Sequence, residues 1–122
     1  MKRLLVILAL SLSVTACAGG TRPTPEQLAN ENFAECPANY QEIIQNQIGS
    51  RLIDPYSAMY RFSKPEKYVY GGEFGHFIVV GVNAKNRYGG YVGEDIMHFM
   101  CFKDGIRQIN EFATGFASGL RR

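Results

Sequence analysis

The chain of 122 residues has no tryptophan and only two histidines. His76 and His98 have no cysteine or carboxylate beside them at ligand spacing, so no metal site is expected. A paired acid and base for glycan cleavage is missing too: Asp54 reads as a helix end and Glu94-Asp95 as loop. Gly89-Gly90 does not open a helix and lacks the lysine and hydroxyl of a phosphate loop. A Cys–His nucleophile would need an accessible, electropositive thiol, whereas Cys101 lies in an apolar strand. No catalytic constellation stands out, and the expectation is a protein that is not an enzyme and takes no cofactor. Excess charge is missing as well. Lys2 and Arg3 account for the whole of the formal +2, and the rest of the chain has as many basic as acidic side chains. No electrostatic footprint for nucleic acid remains.

Long apolar runs are also scarce. The one at residues 4–14 is too short to span a bilayer, and after Lys2 and Arg3 it reads as a secretory signal to be removed from fold reasoning. The segment that follows it, Val14-Thr15-Ala16-Cys17, resembles the lipobox of bacterial lipoproteins. The resemblance implies that Cys17 is acylated on sulfur with a palmitate-type chain, becomes the new N-terminus and carries lipid on its amino group. Each buried methylene of such chains contributes about 0.8 kcal/mol to anchoring. Ala18 stands where an Asp would mark inner-membrane retention, so the expected location is the outer membrane, with the domain facing the periplasm. The alternative is an ordinary secreted chain in which Cys17 is incidental. The expected organisation is a signal peptide over 1–16, a lipidated tether over 17–25, a periplasmic domain over 26–110 and a C-terminal tail over 111–122.

Roughly a hundred residues then remain, enough for one small core. Thr24-Pro25-Glu26-Gln27 is a helix start, with a capping Thr, Pro at the first position and Gln three residues after the cap. Only Leu28 and Phe33 give that short helix anything to bury. Asn39-Tyr40-Gln41-Glu42 has the form of a second capping box. Apolar residues at helical spacing (Tyr40, Ile43, Ile44, Ile48, Leu52) then predict a helix over 39–53, ended by Asp54-Pro55. From Ser57 the period becomes two, with Ala58, Tyr60 and Phe62 on one face, and Lys64-Pro65-Glu66 reads as a turn. Strands are expected at 68–70, 76–82 and 98–103, with His76 and His98 at a spacing that would let them share a face. Asp104-Gly105 is a type I′ signal returning the chain through 106–109. Phe112, Phe116 and Leu120 make the tail a marginal helix, weakened by Gly115 and Gly119. The expected fold is α+β: one amphipathic helix packed on a small antiparallel β-meander, with a tethered, lipidated N-terminus.

Apart from Cys17, the cysteines are Cys36 and Cys101. In an oxidising periplasm an even pair in a small domain is a disulfide candidate, the alternative being two separately buried thiols. A bridge between them would close a long loop and add about 2–4 kcal/mol.

Two stretches carry more information than the rest. Asp54-Pro55-Tyr56-Ser57-Ala58-Met59-Tyr60-Arg61-Phe62 and Gly81-Val82-Asn83-Ala84-Lys85-Asn86-Arg87-Tyr88-Gly89-Gly90-Tyr91-Val92-Gly93 together resemble a recurrent group of small exported bacterial proteins. These carry a D-P-x-S-A-x-Y-x-F segment after a helix and then a V-N-A-K-N-x-Y-G-G-Y-x-G segment. Many members have a cysteine before the glycine of the second motif, where this chain has Val80. The resemblance implies a shared fold unit and no particular activity. The second stretch has two readings. In one, Asn83 and Asn86 bond local backbone, the glycines supply positive φ, and Tyr88 and Tyr91 cover the helix or sheet. In the other, Lys85, Arg87, Tyr88 and Tyr91 form an exposed binding surface, for which tyrosine suits because it offers a large rigid area at little entropic cost. The expected function is an outer-membrane-anchored interaction or assembly module, bound to the membrane by its lipid and to an envelope protein or peptidoglycan by its domain. The alternative is an inhibitor or binder acting on peptidoglycan or a cell-wall enzyme.

Overall fold

The computed structural model describes residues 19–110. The expected signal segment, Cys17 and the expected tail helix over 111–122 lie outside the described residues. The fold is α+β, with six antiparallel strands, one helix of ten residues and a shorter helix.

Strand β1 (Gly20–Thr21) pairs with β3 (Glu66–Tyr70), so part of the expected tether is built into the sheet. Helix α1 (Pro25–Asn30) starts as its sequence dictates. Gln27 donates its backbone N–H to Thr24 Oγ1 at 3.2 Å, and Thr24 donates its own to Gln27 Oε1 at 2.9 Å. These reciprocal bonds satisfy two of the donors a helix start leaves open. Leu28 stays exposed, whereas Phe33, past the helix, is buried edge-on against Phe74 at 5.4 Å.

Helix α2 (Tyr40–Gly49) departs from the expected 39–53 at both ends. Asn39 has φ −96° and ψ 26°, outside the extended geometry that aims a capping side chain at the next turn, and its side chain makes no cap bond. At the other end Gly49, a weak helix former, is followed by tighter turns: Arg51 N–H bonds Ile48 O and Leu52 N–H bonds Gly49 O. The chain is therefore out of the α-helix before Asp54-Pro55 is reached. Asp54 instead starts a one-turn 3₁₀ helix (Pro55–Ser57), accepting the Ser57 N–H on Oδ1.

The rest of the sheet comprises β2 (Met59–Phe62), β4 (Glu73–Asn83), β5 (Asp95–Phe102) and β6 (Gly105–Ile109). β4 is its spine. Strands β3, β4, β5 and β6 form the expected meander, and β2 joins the same edge of β4 as β3 does. The expected turn at Lys64-Pro65-Glu66 is not a reversal. Phe62 faces Val80 and Glu66 faces Phe77, so residues 63–65 lie opposite only Ile78 and Val79. The extra residue is a bulge between β2 and β3 along β4, at a point of the edge that β1 does not cover, a position that tolerates Pro65. The turn chemistry is also redistributed. Gly71 and Gly72 have φ of 57° and 78°, both positive as a type I′ turn requires. Asp104-Gly105 does not make one: Asp104 keeps a negative φ, and the turn residues are Lys103 and Asp104 with Gly105 already paired to Phe102.

Both sheet faces are apolar, which is why β4 and β5 read as continuous apolar runs. Ile78, Val80 and Val82 of β4 join Phe99, Cys101 and Ile106 under Ile44 and Ile48 of α2, with Tyr60 and Phe62 at the margin. Phe77, Val79, Met100, Phe102, Ile109 and Tyr68 form a second cluster on the opposite face. Fully burying an isoleucine such as Ile44 contributes about 1.5–3 kcal/mol. Cys36 and Cys101 are bonded, with S–S 2.05 Å and Cα–Cα 5.3 Å, fastening the approach to α2 onto β5.

Candidate functional site

The two motif stretches meet at one end of the sheet. β2 runs antiparallel to the last third of β4, placing Met59 opposite Asn83, Tyr60 opposite Val82 and Arg61 opposite Gly81. Ser57 fastens the join. Its Oγ donates to Asp54 O at 2.8 Å and accepts the Lys85 N–H at 2.9 Å, while its carbonyl accepts from Tyr91 Oη at 2.9 Å. One residue thus holds both ends of the 85–91 loop to the 3₁₀ turn, Lys85 through its hydroxyl and Tyr91 through its carbonyl.

On the face of the sheet away from α2, the Arg61 guanidinium forms a two-pronged pair with the Glu94 carboxylate. The hydrogen bond to Glu94 raises the Arg61 pKa above its ordinary value, so this group is a fixed cation. The pair passes directly over Gly81: a Cβ there would lie 2.6 Å from the Glu94 carboxyl group. Burial pushes the Tyr60 phenol up from its ordinary 10.0, keeping it neutral.

Asn86 shapes the loop tip. Its Oδ1 accepts from Tyr88 N–H at 2.9 Å and Gly90 N–H at 3.2 Å, while its backbone exchanges bonds with Gly89 and Gly90. Gly89 and Gly93 have positive φ, 78° and 110°. Of the predicted surface residues, Lys85 and Tyr91 come together as a bridge pair with Lys85 Nζ 5.6 Å from the ring centroid, a cation–π contact. Arg87 and Tyr88 occupy the exposed tip, Tyr88 at 87 % exposure. The two readings of the stretch therefore divide by residue. Asn86 and the Tyr91 hydroxyl bond backbone, whereas Tyr88 covers neither helix nor sheet. Asn83 does not bond local backbone through its side-chain oxygen: Oδ1 is buried with no hydrogen-bond partner among the described residues.

Sequence reasoning missed the neighbours of this loop. Tyr56 is 99 % exposed, Val92 74 % and Ile53 68 %, with Met59 and Ile96 also open. A cleft of about 210 Å³ between the end of α2 and the loop is lined by Leu52, Ile53, Lys85, Val92, Asp95 and Met97. The signal available was Asp54-Pro55, a break in the chain that stands between Ile53 and Tyr56. Ser57 and Arg61 gave no such signal, because their partners lie 28 to 34 residues away.

Elsewhere the histidines are separated. His76 faces α2 beside Cys101 and donates from Nδ1 to Ala34 O at 2.7 Å; His98 lies on the other face, stacked on Phe77 at 5.5 Å. They do not share a face, because β4 and β5 register pairs His76 with Cys101 and His98 with Val79. Among the described residues no group of three or more His, Cys, Asp and Glu side chains could hold a metal, and no helix is long and apolar enough to cross a membrane. A larger cleft of about 400 Å³ lies at the opposite end of the sheet, between Asn30, Glu31, Gly72, Glu73, Phe74 and Lys103.

The chain matches no protein-family model, no curated protein and no solved structure.

Proposed function

We propose that the protein is a lipoprotein of the outer membrane whose periplasmic domain is a non-catalytic interaction module, and that the joined motif stretches are its binding surface. The observation that carries this reading is a shaped loop with its large side chains facing out. Asn86 and Ser57 hold the backbone, while Tyr88, Val92 and Tyr56 project into solvent. Exposed apolar side chains gathered in one place, with cations at the margin, suit a protein partner. The lipobox-like Val14-Thr15-Ala16-Cys17 supports anchorage.

Two measurements test the reading. Cys17→Ala should move the protein from the membrane fraction to the soluble one. In-cell cross-linking should trap a defined protein with the wild-type chain and lose it with the Arg87→Ala/Tyr88→Ala double variant, which removes only exposed side chains. An adduct that survives both substitutions would assign the binding to another surface.

A further inference from the structure

The point at which the chain enters the fold limits how the domain can sit on a membrane. β1 sets Gly20 opposite Tyr70 and Thr21 opposite Val69. The Tyr68 ring closes over Gly20 so tightly that a Cβ there would lie 2.1 Å from it. Gly20 is therefore fixed in the sheet, only three residues after Cys17. Three residues reach at most about 11 Å even when fully extended.

What lies within that reach is one end of the sheet. Tyr70 leads into the Gly71-Gly72 turn, and the Lys103-Asp104 turn stands next to it, since β4 and β5 pair His76 with Cys101. Arg107 ties the two turns by bonding Asp104 at 2.7 Å and Glu73 at 3.3 Å. The larger cleft, with Lys103 on its rim, opens at this end. The motif loop is at the other end. β4 runs eleven residues from Glu73 to Asn83, which at about 3.4 Å per residue is roughly 35 Å. The outer side of α2 carries Gln41, Glu42 and Asn46, without positive charge to hold the domain on its side against anionic lipid, and the exposed Arg51 just past its end bonds Gln108 at 2.8 Å.

We infer that the domain stands on the bilayer on its two-turn end and holds the Tyr88 loop away from the membrane. There the loop meets a protein whose surface offers an apolar recess bordered by carboxylates. Lys85 and Arg87 supply the complementary charge, and Tyr56, Tyr88 and Val92 the apolar fill. A lipid-inserting role for these side chains does not fit their distance from the anchor. The inference rests on acylation of Cys17, and it adds the direction in which the binding surface points.

The absence of tryptophan makes the test direct. The lipidated full chain, isolated from membranes and reconstituted in phosphatidylcholine–phosphatidylglycerol vesicles containing headgroup-nitroxide lipid, would carry one reporter at a time. Lys103→Trp should lose its fluorescence to the nitroxide and Tyr88→Trp should keep it. Glu73→Trp, also at the two-turn end, should behave as Lys103→Trp does and guards against a local misfold. About twelve Gly/Ser residues inserted after Ala18 should abolish the contrast, because a flexible segment of that length spans roughly 20 Å. Equal quenching at positions 88 and 103, or stronger quenching at 88, overturns the orientation. In cells, benzoylphenylalanine at position 88 should give protein adducts that Arg87→Glu abolishes. Lipid or glycan adducts there overturn the choice of partner. Labelling with an alkyne fatty acid reports on the premise alone. If Cys17 takes no label, the anchor and the orientation fall together; if it is labelled and the contrast is absent, only the orientation falls.

Discussion

Val79 donates its backbone N–H to Ser63 Oγ at 2.8 Å, and Ser63 returns its own N–H to the Val79 carbonyl at 2.9 Å. This exchange bridges the bulge between β2 and β3, where the ladder along the central strand would otherwise break. Val79 is completely buried, so water cannot easily replace the hydroxyl. Ser63→Ala should lower unfolding free energy by about 1–3 kcal/mol, the cost of stranding a buried N–H, while Ser63→Thr should keep most of it. Urea denaturation of both variants checks this. Equal midpoints for Ala and Thr would show that the hydroxyl is dispensable.

Gly75 and Gly81 occupy the same face of β4, and substitution should affect them differently. A Cβ at Gly75 would lie 2.1 Å from the Cys101 carbonyl oxygen, a backbone atom fixed in the sheet. Gly75→Ala should therefore cost on the order of 3 kcal/mol or more, the upper range for forced overpacking. At Gly81 the obstruction is the end of the Glu94 side chain, which can swing away. Gly81→Ala should be mild and should act by displacing the Arg61–Glu94 pair. The discriminating measurement is a double-mutant cycle: Glu94→Ala should change the stability of the wild type and have no further effect in the Gly81→Ala background.

The Cys36–Cys101 bond joins residues 65 apart in sequence. Closing a loop of that size restricts the unfolded chain, and its loss should reduce stability by about 2–4 kcal/mol. Cys101 is itself core, 1 % exposed, so Cys36→Ala isolates the bond better than Cys101→Ala, which would also open a cavity. Thermal melts of Cys36→Ala and of reduced wild type should coincide. A reduced wild type that melts with the oxidised protein would place the stability elsewhere.

Features set by neighbouring residues were legible from sequence: the Thr24 capping box, the alternation that turns Tyr60 and Phe62 inward, and the α+β class. Features set by geometry at a distance were not. Pro65 punctuates a reversal and a bulge in the same way, and only the pairing with β4 tells them apart. Asp104-Gly105 carries the residues of a type I′ turn, yet the turn falls one residue earlier, with Arg107 gripping the Asp104 carboxylate. Gly49 ends α2 through bonds that the more conspicuous Asp54-Pro55 obscured. At the candidate site, the glycines and tyrosines marked the loop. The serine that holds it was hidden, because its bonds to Lys85 and Tyr91 exist only once β2 lies beside β4.

Asn86 separates the fold of the loop from its surface. Both of its side-chain bonds, to Tyr88 N–H and Gly90 N–H, are accepted by Oδ1, and its Nδ2 takes no part in them. An aspartate has the same acceptor in the same place, so Asn86→Asp should preserve the tip, while Asn86→Ala should release it. The strands are paired independently of these bonds, so neither variant should change the global unfolding free energy by more than about 1 kcal/mol, the net worth of a typical hydrogen bond. Amide hydrogen exchange resolves the difference: Tyr88 and Gly90 should lose protection in Asn86→Ala and keep it in Asn86→Asp, with the β4 and β5 amides unchanged. If the proposed surface works through the shape of this loop, partner cross-linking should follow the same order, retained in the aspartate variant and lost in the alanine one. Cross-linking that survives Asn86→Ala would mean that Arg87 and Tyr88 bind without a preformed loop.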